Sequence, residues 1–589
     1  MRNILFLFTL LFSSFAFAQS SPNFTKGQVP TAEQWNSYFS AKQDYKGNPL
    51  PILNGGTGST NANAALSALG GLSSALPDGK IFIGSGSDIA TPRTMSGDCS
   101  LSNAGVISCP SPIFNVKAAP FNAVCDGVTN DAAAFNAANT AVAAAGGGQI
   151  YVPLNCGIGS TVTVGAGVTF VGPGSLAPPA PGAAMPSASV KVLANNLKVF
   201  SLAGNGSGLQ NIAIDAFGRT NTSGCAVSVE GSSSQALVQG VQVNAAFLAF
   251  CTAGVQPTIQ RNYAFNPVSS TGGCYSITAG ESAYLYYNWC RGVSAGSQPL
   301  FGISITGGGG HQIIGNQSVY PGTYGIRIDS TGTTIPWVAM AYNAMDSGTG
   351  TGLYVVSGTS GTTQGLLSVG DWFASFAGPG VLFSQGAGTI SGAKIVAARI
   401  YNNGTTGVVV GASTGVAIQD SSICGNSTAS PGIDHGVAIT TNSATSITIE
   451  GNKIGDCDGQ GATQGYGAAV NTTGAVSIVG NMFSGNATGP AVLLAQPSPF
   501  VLGNNLGIDN VIGSVASATS TALPLNPVVK ITGTTSIENL TGGWSGRQVT
   551  LIPTDGLLFV TGGNIASAVT GTINLNNLFA FDGATWFGK

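Results

Sequence analysis

A short pattern recurs about a dozen times along the middle of the chain: an apolar residue, two spacers and then a polar residue, usually Asn. The polar position of the clearest consecutive copies falls at Asn262, Asn288, Asn316, Asn343 and Asp371. The steps between these copies are 26, 28, 27 and 28 residues. This period is too long for one strand and too regular for unrelated loops, and it is typical of a solenoid in which each step is one coil.

The copies themselves are β-rich. Residues 446–450 and 475–479, for example, alternate apolar with small or polar residues, as half-buried strands do. Gly, Ser, Thr and Asn clusters lie between copies, which disfavours a helix in every unit. The sequence therefore predicts an all-β, parallel β-helix of about 12 coils. Asn tolerates left-handed corners and can bond to its stacked neighbours, so we assign the Asn row a structural role.

Charge is unusually scarce in this chain. Lys and Arg total 19 and Asp and Glu total 22 of 589 residues, so 7% of the chain is charged, against about 25% in an ordinary soluble protein. With a net charge of -3 and a pI near 5.3, the chain has no basic stripe that could displace phosphate counterions. The composition therefore disfavours nucleic-acid binding.

The N-terminus has the pattern of a secretory signal peptide: a basic residue, a short apolar run and then small residues. We expect cleavage after Ala18. No later window reaches 18 unbroken apolar residues, so we expect no membrane association after the signal is removed; a membrane anchor is the minor alternative.

The ten cysteines are an even number in a chain that the N-terminal pattern predicts to be exported, which favours disulfides over metal binding. No Cys-x-x-Cys occurs and the chain has two histidines, so the sequence predicts no metal site and no cofactor. Coil register places Cys424 beside Cys457 on neighbouring coils, about one strand spacing apart. Cys225 and Cys251 form a similar but looser pair.

Segments 27–44 and 53–70 are low in complexity and are expected to form an extended stalk. Both resemble segments of bacteriophage tail-fibre and tail-collar proteins, as does segment 78–98. Near the other end, strand-like runs at 528–533, 547–552 and 557–561 and an Asp-Gly turn at 582–586 predict a small β module. That module is similar to C-terminal modules of phage fibres and tailspikes, which implies a cap and a homotrimer.

A second resemblance begins at residue 114 and includes Asp-Gly-Val-Thr-Asn-Asp at 126–131, a helical stretch at 132–145 and Gly-Gly-Gly-Gln-Ile-Tyr-Val-Pro at 146–153. It resembles the opening of the pectate-lyase-like superfamily of right-handed parallel β-helices, and implies that the helix plugs the first coil. Thr129, Asn130 or Asp131 is expected to cap this helix. The predicted organisation is a signal at 1–18, a tail-fibre-like region at 19–112, a cap with first coils at 113–200, the β-helix at 201–511 and the C-terminal module at 512–589.

Glycoside cleavage by the common route needs two carboxyl groups about 5 to 9.5 Å apart. Carboxyl groups are few in the coil region, so there are few candidate catalytic residues. Asp346 and Asp371 could approach one another across neighbouring coils, although the favoured interpretation of Asp371 is that it replaces Asn in the corner row. Asp434 and His435 lie in a long coil of the kind where solenoids place function. Asp420 and Glu450 lie one apart in register and are expected on opposite faces.

Another local pair, Arg327 near Asp329, weakly resembles the basic and acidic groups of pectate lyases. An exposed ion pair explains it equally well.

Aromatic residues crowd the central coils. A neutral groove with exposed rings suits carbohydrate, whereas rings that fill the coil interior are the alternative. The proposed carbohydrate-binding residues are Tyr287, Trp289, Trp337 and Trp372.

Three functions fit these observations. The first is a tailspike-like protein, in the virion tail or secreted, that binds cell-surface polysaccharide, either with or without depolymerising it. The second is a secreted bacterial polysaccharide lyase or glycoside hydrolase. The third is a non-catalytic adhesin.

Overall fold

The computed structural model describes residues 26–42, 64–65, 80–84, 90–94, 100–101, 107–108, 113–174, 177–267, 271–293, 298–457, 459, 461–559 and 562–589. The expected signal peptide, Cys99 and Cys109 lie outside these residues. The chain divides into two compact units, Met1–Ser111 and Pro112–Lys589. Among the described residues, no helix has the length and apolar character needed to cross a membrane.

The first unit contains an α-helix, Ala32–Lys42, within a segment that the sequence suggested would be extended. Thr31 and Gln34 cap it reciprocally: the Gln34 N–H donates to Thr31 Oγ1, and the Thr31 N–H donates to Gln34 Oε1. Two antiparallel strand pairs follow, Lys80–Gly84 with Ala90–Thr94 and Ser100–Leu101 with Ile107–Ser108.

The second unit is built on three parallel sheets that stack coil upon coil. Sheet A has 15 strands: Ile113–Asn115, Gly148–Tyr151, Val168–Val171, Gly208–Gln210, Leu237–Gln239, Thr258–Gln260, Tyr284–Tyr286, Gln312–Ile314, Ala339–Ala341, Leu367–Val369, Lys394–Val396, Ala417–Gln419, Ile447–Glu450, Val476–Val479 and Phe500–Gly503. Sheet B has 13 strands: Cys156–Ile158, Val190–Val192, Ala213–Asp215, Gln242–Asn244, Tyr263–Phe265, Trp289–Arg291, Gln317–Val319, Ala344–Asp346, Trp372–Ala374, Arg399–Tyr401, Ser422–Cys424, Lys453–Gly455 and Met482–Ser484.

Sheet C also has 13 strands: Val162–Val164, Phe200–Leu202, Cys225–Val229, Leu248–Thr252, Gly273–Ile277, Phe301–Ile305, Tyr324–Asp329, Thr351–Ser357, Val381–Gln385, Val408–Val410, Val437–Ile439, Tyr466–Val470 and Gly489–Leu493. A short three-stranded sheet, Thr334–Pro336, Thr362–Gln364 and Thr389–Ser391, lines part of the connection from sheet C to the next strand of sheet A. The predicted parallel β-helix of about 12 coils is confirmed.

One continuous apolar core fills the coils because alternate residues of each strand point inward. On sheet A, for example, Leu285, Ile313 and Met340 stack in register and are almost completely buried. The inward row at the start of sheet C strands is largely glycine, since sheet B approaches closely there. A Cβ on Gly352 would lie 2.5 Å from the Gly380 carbonyl oxygen and 2.8 Å from Phe373 Cβ.

The Asn row forms a buried ladder at the corner between sheets A and B. Each amide nitrogen donates to the oxygen of the next side chain: Asn288 to Asn316 at 2.9 Å, and Asn316 to Asn343 at 3.0 Å. The same amides also satisfy backbone groups of neighbouring coils, as in the donation from Asn316 Nδ2 to the Leu285 carbonyl oxygen at 2.9 Å. The predicted structural role of this row is therefore confirmed.

Helix Ala132–Ala144 covers the first coil with Phe135, Ala138 and Val142 buried against it. Asn136 and Asn139 accept hydrogen bonds from the backbone N–H groups of Thr163 and Gly165, at the open edge of sheet C. The helix thus satisfies backbone groups that an exposed edge would leave unpaired.

Of the three residues expected to cap this helix, Asn130 bonds to the helix start, whereas Asp131 has another role. Asp131 occupies the N-cap position but makes no side-chain cap bond. Its carboxylate instead accepts hydrogen bonds from the backbone N–H groups of Val124, Cys125 and Gly157. Asn130 Oδ1 accepts from the N–H of Ala132 at the helix start. Asp131, the last residue of the Asp-Gly-x-Thr-x-Asp pattern, therefore fastens the loop before the helix to the first coil.

Four disulfides link the described cysteines. Two join the pairs that coil register predicted, Cys424–Cys457 with Cα atoms 5.5 Å apart and Cys225–Cys251 with 6.2 Å. The others, which register did not suggest, are Cys125–Cys156 and Cys274–Cys290.

The C-terminal module contains a five-stranded sheet, Gly513–Ala516, Val528–Thr532, Gln548–Pro553, Asn577–Phe581 and Trp586–Gly588. Two strand pairs accompany it, Ser520–Ala522 with Asn539–Thr541 and Leu557–Phe559 with Val569–Gly571. Phe500 of the last β-helix strand packs edge-on against Trp544 at 4.9 Å. The guanidinium of Arg547 lies 4.5 Å from the Trp544 ring and donates to backbone carbonyl oxygens of Pro524 and Gly542.

Candidate functional site

The corner between sheets A and B is a two-residue turn whose first residue has a left-handed backbone in coil after coil. Arg261, Tyr287 and Tyr342 have φ of 54°, 55° and 54° there, and Gly315 and Gly370 have 67° and 65°. The second turn residue belongs to the buried ladder. The first residue points outward, so its side chain lies on the surface of the rod.

Tyr287 and Tyr342 lie across the glycine at the same corner of the next coil. A Cβ on Gly315 would lie 2.5 and 2.6 Å from Cδ1 and Cε1 of Tyr287, and a Cβ on Gly370 would lie 2.8 Å from Cε1 of Tyr342. The Cδ1–Cε1 edge of each ring therefore lies against backbone. The exposed fractions of the two residues are 61% and 71%, so the opposite side faces solvent.

Trp337 repeats this arrangement at the other edge of sheet A, where chain from sheet C enters. Its φ is 58°, and a Cβ on Gly365 of the next coil would lie 2.8 Å from the indole Cε3. The residue is 65% exposed. The outer surface of sheet A is thus bordered by Tyr287 and Tyr342 at one edge and by Trp337 at the other.

Between these edges the outer surface of sheet A is uncharged in the central coils. Tyr284 and Tyr286 lie 5.8 Å apart, and the Tyr286 hydroxyl donates to Gln312 Oε1 at 2.7 Å. Ala339 and Ala341 leave the next strand flat. We call the surface formed by Tyr284, Tyr286, Tyr287, Trp337 and Tyr342 the aromatic face.

Folding alone does not account for these rings. A left-handed backbone is costly for a bulky residue, of order 1 kcal/mol or more, and glycine fills the same corner in other coils without that cost. An aromatic residue that is also mostly exposed gains little from burial. Tyr287, Trp337 and Tyr342 therefore have the features of ligand-contacting residues.

A groove of about 780 Å³ opens beside Trp337. Its lining consists of Val255, Gly280, Glu281, Ser282, Gly308, Gly309, Gly310, Thr334, Pro336 and Trp337. Glu281 pairs in register with Gly309 of the next coil, so an exposed carboxylate stands over a floor without side chains. Reasoning from sequence assigned no role to Glu281 and did not select Tyr342, although Tyr287 and Tyr342 both directly precede a ladder Asn.

The two remaining ring candidates have different surroundings. Trp372 opens a strand of sheet B and is 42% exposed, close to the aromatic face. Trp289 is more enclosed: its ring packs edge-on against Tyr263 at 5.8 Å and Phe265 at 6.1 Å. Met185, from a segment that crosses the outside of sheet B, joins the same apolar cluster.

The structure does not bring Asp346 and Asp371 together as a pair. Asp346 lies on the outer surface of sheet B and pairs in register with Ala374, three residues beyond Asp371. Asp371 is completely buried in the Asn ladder, where it accepts from the backbone N–H and the amide of Asn343 at 2.7 and 2.9 Å. Burial raises the pKa of Asp371 to about 6, opposed by hydrogen bonds from Ser368 and Asn343.

Asp434 and His435 lie just before a strand of sheet C. His435 Nδ1 accepts from the backbone N–H of Tyr466 at 3.3 Å, and its ring lies 5.7 Å from that of Tyr466. Burial lowers the pKa of His435, and the charge of Asp434 acts in the opposite direction.

Asp420 and Glu450 do not lie on opposite faces, contrary to the expectation from strand alternation. Asp420 is a left-handed corner residue with a φ of 50°, which turns its side chain outward. A Cβ on Gly451 would lie 2.4 Å from Asp420 Oδ1, and Glu450 is exposed at the end of the adjacent strand, where Gln419 donates to it at 2.9 Å. Both carboxylates therefore lie at the surface of the same corner.

Arg327 and Asp329 form an ion pair on the outer surface of sheet C. Asp329 also accepts from the N–H and hydroxyl of Thr331, and Tyr324 stacks on Tyr354 at 4.8 Å beside the pair. The carboxylate is thus engaged by its own turn.

Residues 301–506 match the family described as the right handed beta helix region. No curated protein matches the sequence. Among solved structures, the A-module of the mannuronan C-5 epimerase AlgE6 from Azotobacter vinelandii aligns at 16% identity and a TM-score of 0.48, covering 67% of this chain and 98% of that chain.

The Dettilon tailspike protein gp208 aligns at 16% identity and a TM-score of 0.46, covering 65% of this chain and 69% of that chain. PfbA, a surface adhesin of Streptococcus pneumoniae, aligns at 12% identity and a TM-score of 0.43, covering 67% of this chain and 93% of that chain. At these low identities and scores, the assignment of a right-handed β-helix rests on the strand pairing and the family match.

Proposed function

We propose that this protein binds a polysaccharide chain along the aromatic face of its β-helix. The observation that carries the proposal is the placement of Tyr287, Trp337 and Tyr342, each with one ring edge against a glycine of the next coil and with most of the residue exposed. Sugar rings have apolar faces that lie on aromatic planes, and their hydroxyls bond to neutral polar groups. Gln312 and Tyr286 supply such groups between the edges.

The setting of the face agrees with a ligand outside the cell. Four disulfides among the described residues favour an oxidising compartment. We propose an exported or virion-borne homotrimeric fibre that recognises cell-surface polysaccharide, with the leader removed after Ala18.

Depolymerisation is a second candidate function. Asp420 and Glu450, exposed at one corner on consecutive coils, are the carboxyl pair that favours it. Asp434 with His435, and Asp346, remain candidate catalytic groups. A binder without catalysis needs none of these residues.

The test is binding of the purified chain to capsule, lipopolysaccharide and pectin panels. Tyr287→Ala and Tyr342→Ala should each raise the dissociation constant by about 2- to 10-fold, as expected for the loss of about 0.5 to 1.5 kcal/mol of binding free energy per ring. Phe217→Ala is the control, because Phe217 is also exposed, at 45%, but follows a strand of sheet B instead.

Two results decide between the possibilities. Equal affinity of the wild type and both tyrosine variants for every bound polysaccharide would contradict the proposed face. Release of oligosaccharides by the wild type, abolished by Asp420→Asn or Glu450→Gln, would add depolymerisation to binding.

A further inference from the structure

The groove beside Trp337 combines a ring platform with an unpaired negative charge. Glu281 is exposed, and its carboxylate forms no salt bridge among the residues that the structure describes. Its backbone is fixed by the β-bridge to Gly309 and by the Gln256 N–H, which donates to the Glu281 carbonyl oxygen at 2.8 Å. The carboxylate is therefore available to a ligand.

Positive charge is missing from the lining of this groove. Its ten residues, all within the described part of the chain, include no Lys, Arg or His. His311 lies beneath the glycine floor but is completely buried, with Nδ1 accepting from the Ala283 N–H and Nε2 placed to donate to the Gly307 carbonyl oxygen. That pattern describes a neutral imidazole.

The dimensions suit a sugar ring. Ser282, Gly310 and Trp337 occupy one register position on three successive coils, so Glu281 and Trp337 lie about 10 Å apart along the rod at a spacing of about 4.8 Å per coil. A pyranose resting on the indole would direct hydroxyls over the glycine floor towards Glu281. The hydroxyls of Ser282 and Thr334 provide further polar contacts.

Resting on the proposed polysaccharide binding, we propose that this groove is a subsite for a neutral sugar and discriminates against uronic acids. An ionised carboxylate can only accept hydrogen bonds, and the hydroxyl groups of a sugar donate to it. A uronate placed in the groove brings a second negative charge close to Glu281 with no cation to offset it, and like charges at such distances repel. The subsite therefore selects by repulsion as well as by contact.

The experiment uses one neutral polysaccharide that binds the full-length chain and the same polymer oxidised at C6 to uronic acid. The wild type should bind the oxidised polymer about 5- to 10-fold more weakly in 50 mM salt. Glu281→Gln should bring the two affinities within about twofold, and 0.5 M salt should narrow the gap for the wild type. Trp337→Ala should weaken binding of both polymers, whereas Phe217→Ala should change neither.

The outcomes separate the subsite from the wider proposal. If the Tyr287 and Tyr342 variants lose affinity but the wild type binds the oxidised polymer as tightly as the neutral one, the subsite is refuted and the aromatic face stands. An unchanged affinity ratio in Glu281→Gln also refutes it. If no polysaccharide binds, or every bound polymer is a polyuronate, the subsite fails, in the first case together with the proposed function.

Discussion

Asp371 is a buried carboxylate at the end of a run of ladder amides, since Ala398 and Ser421 occupy the same position on the next two coils. Replacing Asp371 with Asn should stabilise the protein above pH 6. Its Oδ1 accepts from the N–H and the side-chain amide of Asn343, and its Oδ2 accepts from the Ser368 hydroxyl at 2.5 Å. An Asn at 371 keeps an oxygen for Asn343, as Asn316 does for Asn288. The substitution thus removes the charge while retaining the ladder.

The size of the effect follows from the pKa. Burial raises the pKa of Asp371 from 3.8 to about 6, and a shift of about 2 units corresponds to about 3 kcal/mol. The folded state binds the Asp371 proton more tightly than the unfolded state does, so protonation of Asp371 stabilises the fold. This contribution is complete below pH 3.8 and is lost as pH rises through about 6. The wild type should lose up to about 3 kcal/mol relative to Asp371→Asn between pH 4 and pH 8.

Guanidinium unfolding followed by circular dichroism at pH 4 to 8 measures this difference, since other carboxyl groups titrate alike in both proteins. Ser368→Ala is a second variant, which should keep the pH dependence that Asp371→Asn removes. Loss of the hydrogen bond from Ser368 should raise the pKa of Asp371 further, so the wild-type loss of stability should occur at higher pH in this variant. A constant stability difference across the pH range, or a less stable Asp371→Asn at pH 8, would refute the reasoning.

Two further predictions concern the coils. Replacing Cys424 and Cys457 by Ser should lower the free energy of unfolding by about 3 to 4 kcal/mol, because the bridge closes a loop with a sequence separation of 33 residues. Chemical unfolding of the double variant measures this loss, and a double variant as stable as the wild type would contradict the prediction. Gly352→Ala should cost about 1 to 3 kcal/mol through overpacking against Gly380 and Phe373, whereas Gly503→Ala, with no atom within 4 Å of its Cβ, should cost much less in the same assay.

The coil architecture could be predicted because the polar ladder leaves a regular trace in the sequence. Most ladder positions carry a side chain that fits a buried corner and bonds along the rod, so Asn288, Asn316 and Asn343 recur at nearly constant steps. The same register placed Cys424 beside Cys457. Local capping was also readable: Thr31-x-x-Gln34 is the pattern of the helix that begins at Ala32, although composition suggested extended chain.

Side-chain direction at the corners could not be predicted from alternation. Strand periodicity turns adjacent residues to opposite faces, but a left-handed corner breaks that rule and sends Asp420 outward next to Glu450. The partial enclosure of Trp289 depends on a segment more than 100 residues earlier in the chain, around Met185. Contacts of that kind leave no periodic signal.

The requirement for glycine also explains the spacing of the rings. A ring whose edge lies against the next coil needs a residue without a side chain there, so two such rings cannot occupy successive coils at one corner. The corner accordingly runs Tyr287, Gly315, Tyr342, Gly370, with a ring on every second coil. At about 4.8 Å per coil, the rings stand about 10 Å apart. An elongated ligand along this edge meets regularly spaced platforms with flat, neutral backbone between them, an arrangement that a compact ligand would not require.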